Sequence, residues 1–182
     1  MKKLLIILVV CLSVLGTVFF AGCSDKNTPT SENDTVLTLA IGQLKAASSY
    51  TITTVVESQT TGVRSEKEEV ITISGDTVTV VTTSKTPNRI GADEAVTTTT
   101  ETATYSKDAF AGVVFNAEGL SYTVDGDAVK VDLTSSAEVE SVLGLKDVTT
   151  ANATVKLKDN AFESLTYSYV TKNQNKVTVT VK

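Results

Sequence analysis

Apolar and polar positions divide this 182-residue chain into regimes of different period. Behind Met1-Lys2-Lys3 runs "LLIILVVCLSVLGTVFF", almost wholly apolar, and "SDKNTPTSEN" at 24–33 then has no apolar residue. Leu37, Ala40, Ile41, Leu44 and Ala47 recur three and four apart, the single stripe of an amphipathic helix. Asn33 or Asp34 can cap its start, and Ser48-Ser49 is a plausible exit. From Tyr50 the period becomes two. "YTITTVVESQTT" and "VRSEKEEVITIS" read as strands around Gly62, and Ser74-Gly75-Asp76 separates "EEVITIS" from "TVTVVTTSK". Asp125-Gly126-Asp127 separates "LSYTV" from "AVKVDLT". "ATVKLK" and "SLTYSYVT" flank Lys158-Asp159-Asn160, and "KVTVTVK" follows Asn173-Gln174-Asn175. Gly and Asp tolerate the left-handed backbone of hairpin turns, and connections this short force antiparallel neighbours. The pattern therefore predicts an antiparallel meander. Val129, Val131 and Leu133 share one side of their strand, Tyr167 and Tyr169 one side of theirs, and Val177, Val179 and Val181 one side of the last.

Two stretches break the alternation. "SSAEVESVLGLKD" has Ser135 and Glu138 in capping-box positions and Gly144 as a stop, which predicts a short helix. "SKDAFAGVVFNAEG" is open at this level: Phe110, Val113, Val114 and Ala117 fit a helical stripe, whereas Val113–Phe115 fit a buried strand. No repeat of fixed period is present, which argues against a solenoid.

The N-terminal pattern supplies an address. A short positive start, an apolar run, and then small residues Ala21-Gly22 before Cys23 have the layout of a secretory leader. An N-terminal membrane span is the alternative, but Ser13, Gly16 and Thr17 dilute the run and no positive cluster follows it. "FAGC" resembles the lipobox of bacterial prolipoproteins, with Phe20 where Leu is more usual. That resemblance implies a leader at 1–22 and diacylglyceryl transfer to the thiol of Cys23, the lipid-attachment residue. The polar stretch 23–33 would then be an acylated cysteine and flexible tether, and 34–182 a single domain. The expected location is the extracytoplasmic face of a bacterial cell membrane, held there by the lipid, because two acyl chains anchor stably where one is marginal.

Composition narrows the chemistry. Hydrophobic content of 41% with 20% charged residues is globular, and abundant Thr and Val suit a pleated, half-exposed surface. The net charge is −5 with no Lys/Arg cluster, so nucleic acid is not an expected partner. There is no His, and the only cysteines are Cys11 and Cys23. Ser-His-Asp and Cys-His catalysis and His/Cys zinc sites are thereby excluded. No Gly-rich phosphate loop and no Ser-x-x-Lys occurs. Asp125, Asp127 and Asp132 could suggest a calcium loop, but the EF-hand spacing is missing and Asp-Gly between two strands is what a hairpin needs. Glu66, Glu68 and Glu69 around Lys67 look like a solvated strand edge. Tyr167 and Tyr169 could line a ligand groove or simply pack the core. No catalytic residue, metal or cofactor is expected.

The order of features carries more than any motif. A lipobox, a polar tether, a helix ending in "KAASSYTITTVVES" and a meander containing "ATVKLKDNAFESLTYSYV" resemble the half-barrel lipid-carrier lipoproteins. These include the outer-membrane lipoprotein carriers and the glycolipid-carrying lipoproteins of mycobacteria. The pattern itself predicts a mostly β (α+β) fold with the N-terminal helix packed on the sheet through Leu37, Ile41 and Leu44, and the resemblance implies that this antiparallel meander sheet is curved around an apolar cavity for acyl chains. It carries over no binding residue. Three readings follow: a tethered module binding a hydrophobic ligand (a lipid) or another envelope protein, a structural or adhesive surface lipoprotein, and an envelope hydrolase using carboxylates alone. An apolar concavity favours the first, a filled sheet interior the second, and two facing carboxylates the third.

Overall fold

The computed structural model describes residues 31–87, 96–159 and 161–182. The expected leader, Cys23 and the expected tether as far as residue 30 lie outside them. The first described element, α1, is Ser31–Ala46. The expected caps Asn33 and Asp34 thus lie within the helix. No Gly or Pro stands between Ser31 and Ile41 to stop the helix propagating back toward Pro29. Leu37, Ala40, Ile41 and Leu44 are buried in the core, while Leu39 on the opposite side is exposed.

Among the described residues nine strands follow: β1 (Ser49–Ser58), β2 (Arg64–Ser74), β3 (Thr77–Pro87), β4 (Val96–Ser106), β5 (Thr123–Asp125), β6 (Ala128–Leu133), β7 (Ala151–Lys158), β8 (Ala161–Val170) and β9 (Asn175–Val181). All pair antiparallel in one open sheet of order β4-β3-β2-β1-β9-β8-β7-β6-β5. The fold is mostly β. The meander runs outward from β1 to the β4 edge; the chain then crosses to β5 and meanders back until β9 lies beside β1. That crossing, residues 107–122, is neither of the two expected forms. It is a 3-10 turn at Lys107–Ala109 followed by irregular backbone. It is nevertheless anchored, with Phe115 only 1% exposed and the Asn116 N–H donating to the Val142 carbonyl at 2.9 Å.

Register fixes which side chains meet. Tyr50 faces Ile71, Ile71 faces Val80, and Ile52 faces Val181, which faces Leu165. The row continues through Val155 and Val129. Because side chains alternate with period two, this one face collects nearly every buried apolar strand residue. The reverse face carries Thr53, Thr180, Thr166 and Thr154 in register, with the Thr166 and Thr180 hydroxyls 3.3 Å apart. A register shift between Lys156 and Leu157 puts one extra residue, Glu163, into β8. This bulge turns Phe162 onto the core side, where it packs against the cluster and its N–H donates to Gln43 Oε1 of α1 at 2.8 Å.

Helix α2, Ser136–Leu143, forms as its caps predict. Ser135 Oγ accepts from the Glu138 N–H, the Glu138 carboxylate accepts from the Ser135 N–H, and Gly144 ends the helix at φ 67°. Val139, Val142 and Leu143 join the same core. All members of that core lie between Leu37 and Val181, so residues 31–182 carry the apolar interior needed to fold alone.

Core cover is uneven. The near ends of β1–β3 lie beside the end of α1 and the crossing segment, and α1 also packs on β8. The far halves of β1–β3, and β4 throughout, hold few buried residues on either face. Ion pairs there join Lys85 to Glu66 at 3.1 Å and Lys67 to Glu69 at 2.9 Å.

Candidate functional site

An apolar pocket of about 300 Å³ opens where the end of α1, the start of β1, the β2–β3 turn region and the crossing segment converge. Its floor is built by register: Tyr50 opens β1, and Ile73 faces Val78 on the same side of the sheet. Leu44 closes one wall because the helical stripe directs it inward, and Phe110 to Val114 form the other. Residue 112, a glycine, sits tightly against this floor. A Cβ there would meet the Tyr50 hydroxyl at 3.3 Å and the Phe110 ring at 3.8 Å. Val113 holds the segment down through a backbone hydrogen bond to that hydroxyl, while burial raises the phenol's pKa above its ordinary value. The phenol is therefore neutral at physiological pH.

Among the described residues the charged ones lining the pocket are Lys45 and Lys107, both exposed, with no carboxylate beside them. Such a site suits a slender apolar group ending in an anion. Its volume is at the low end for small-molecule pockets, room for one chain rather than a bulky head.

A second cleft, about 400 Å³, lies between α2, β6 and the turn near Gly119. Three carboxylates among the described residues line it, Glu118, Asp132 and Glu138, and the last two are hydrogen-bonded. Glu138 accepts from the Thr134 N–H at 2.7 Å and from the Ser135 N–H at 3.2 Å, and these bonds hold it below the usual carboxylate range. Asp132 accepts from Asn152 Nδ2 at 2.6 Å. Glu138, held ionised by those bonds, cannot act as a general acid at neutral pH.

The residues singled out in the sequence fall elsewhere. Asp125 pairs with Lys130, whose ammonium lowers its pKa, and Asp125 and Asp127 flank the β5–β6 turn. Among the described residues no three His, Cys, Asp or Glu side chains gather where a metal ion could be held. Glu66, Glu68 and Glu69 lie on β2, an interior strand, in its solvated half. Tyr167 and Tyr169 stack with ring centroids 6.5 Å apart and 14° between planes. They face Val179 and Val177 on one side and Ala153 and Ala151 on the other. Both are half-buried, and burial raises both phenols. They cap the core over the small alanines and take no part in the pocket. The pocket residues Tyr50, Lys45, Lys107 and Gly112 carried no motif; the one signal was a glycine between Phe110 and Val113 in an otherwise apolar stretch.

Among the described residues no helix is long and apolar enough to cross a membrane. No known protein-family model matches the chain, and comparison with curated proteins finds no relative.

Proposed function

We propose that the chain is a lipid-anchored lipoprotein of the bacterial cell envelope, tethered through Cys23 at the extracytoplasmic face, whose domain binds an acyl chain with an anionic head. In this reading the sheet is a curved half-barrel and α1, packed on it, forms one pocket wall. The observation that carries it is the apolar pocket with two exposed lysines and, among the described residues, no carboxylate in its lining, on a chain whose net charge is −5. A general acidic surface repels anions, so a local cationic mouth above an apolar floor is selective.

Titration of residues 24–182 with a fluorescent fatty acid and its methyl ester tests this. Saturable binding of both is expected, tighter for the acid, with Lys45→Glu/Lys107→Glu weakening the acid about tenfold and sparing the ester. Absence of saturable binding overturns the reading.

The solvated far half of β1–β4 favours a second role, that of a surface module whose sheet meets another protein. Both roles fit one tethered domain.

A further inference from the structure

The two edges of the sheet are unlike. β5 is three residues long, and Asp125 there is paired with Lys130. β4 is eleven residues, about 37 Å at strand rise. It contains no Pro and no Lys, and it pairs with β3 without a register shift from Val96 to Ser106. Every residue in it is exposed except the partly exposed Ala103, and among the described residues nothing pairs with its outer edge. Proteins usually blunt such an edge with prolines, lysines, bulges or a cover; β4 has none of the first three.

The hydrogen-bond phase shows what this edge offers. The Lys107 N–H donates to the Asp76 carbonyl, continuing the register in which Ser106 faces Thr77. Bonded and non-bonded pairs alternate in an antiparallel ladder, so the odd-numbered residues of β4 bond to β3. The N–H and C=O of Thr98, Thr100, Thr102, Thr104 and Ser106 therefore point away from the sheet. An added antiparallel copy of β4 can bond only if even residues face even residues. Full overlap would place Glu101 directly opposite its own copy, a repulsive pair. A shift of one allowed step puts the twofold axis at Thr102. Glu101 then faces Ala103, Thr100 faces Thr104, and Tyr105 faces Thr99, an aromatic–β-branched pair of the stabilising kind.

We propose that β4 is a strand-addition edge whose occupant is a second copy of this chain, joined antiparallel about Thr102 into one continuous sheet. Nine residues of each copy overlap, with about ten backbone hydrogen bonds, as many as a typical protein interface, over an area at the small end of such interfaces. The association is accordingly reversible. Its basis is the open edge and its self-complementary register, independent of the pocket.

Sedimentation velocity of residues 24–182 between about 1 and about 100 µM reads the equilibrium. A monomer at low concentration giving way to a dimer is expected. Thr102→Pro removes an outward N–H while leaving the β3 ladder intact, and should weaken dimerisation about tenfold or more with little change in melting temperature. Residues 24–182 contain no cysteine, so a single introduced thiol reports register. Thr102→Cys should form an intermolecular disulfide faster than Glu101→Cys, and this readout does not depend on the proline variant folding. A monomer throughout, a dimer indifferent to Thr102→Pro, or faster crosslinking at Glu101→Cys overturns the proposal.

Discussion

Replacing Leu37 by Ala tests whether α1 belongs to the core or merely precedes it. The Leu37 side chain is 1% exposed and sits in the same apolar cluster as the strand residues. Truncation removes three carbons at about 0.8 kcal/mol each, roughly 2.4 kcal/mol of transfer energy. Incomplete relaxation around the hole adds a cavity term, bringing the loss to about 3–4 kcal/mol, inside the range for buried Leu→Ala changes. For a domain of about 150 residues each kcal/mol moves the melting temperature by about 2–4 °C, so a fall near 10 °C is expected. Leu39, two residues away on the same helix, is 60% exposed and supplies the control. Leu39→Ala should stay within about 0.5 kcal/mol of the parent protein. Thermal denaturation followed by circular dichroism, with urea titration as a second estimate, measures both. Equal small losses at the two positions would refute the docking of α1, and a larger loss at Leu39 would reverse its inward face.

Ser135→Ala removes the cap of α2 and should cost about 1 kcal/mol in the same melts. Glu138 has a folded-state pKa below its ordinary 4.5, so its contribution is present above that value and is lost as pH falls through the lowered one. The gap in melting temperature between wild type and Glu138→Ala should therefore close in acid; a gap unchanged at low pH would show that the carboxylate's bonds do not matter. Tyr50, Tyr167 and Tyr169 have phenols raised above 10, so the unfolded chain loses those protons first and stability falls as pH climbs past that point. Spectrophotometric titration should show these phenols ionising late, and Tyr167→Phe should lessen the alkaline loss. Intact mass of envelope-derived protein should show an acylated Cys23 as the N-terminus, and Cys23→Ala should abolish the addition; an unmodified wild-type mass would refute the anchor.

Legibility followed locality. The capping box at Ser135 and Glu138 and the stop at Gly144 involve residues within one or two turns, so α2 was readable in full. The same holds for the hairpins at Gly75 and Gly126 and for the alternation of Val177, Val179 and Val181. β4 was not readable, because "TTTTETATY" places Thr on both faces and so has no contrast of period two. The neighbouring of β1 and β9 joins residues more than a hundred apart, and nothing local encodes it. Residues 110–122 defeated both periodic readings because the segment is held by particular contacts, the Val113 backbone on the Tyr50 hydroxyl, the Asn116 N–H on the Val142 carbonyl and Val114 against Gly144, rather than by a backbone repeat. The pocket was invisible for the same reason: α1, β1, the β2–β3 region and the crossing segment each bring a few residues with no motif among them.

The ligand claim meets its most direct test in the protein's own envelope. The chain is isolated without detergent after release of the tethered domain, extracted with organic solvent, and the extract analysed by lipid mass spectrometry against Gly112→Val, whose side chain would press on Tyr50 and Phe110 and narrow the pocket. The account predicts an anionic amphiphile carried by the wild-type domain, near one molecule per chain, and its loss from Gly112→Val. A wild-type domain that carries no lipid and takes none from anionic vesicles would contradict it.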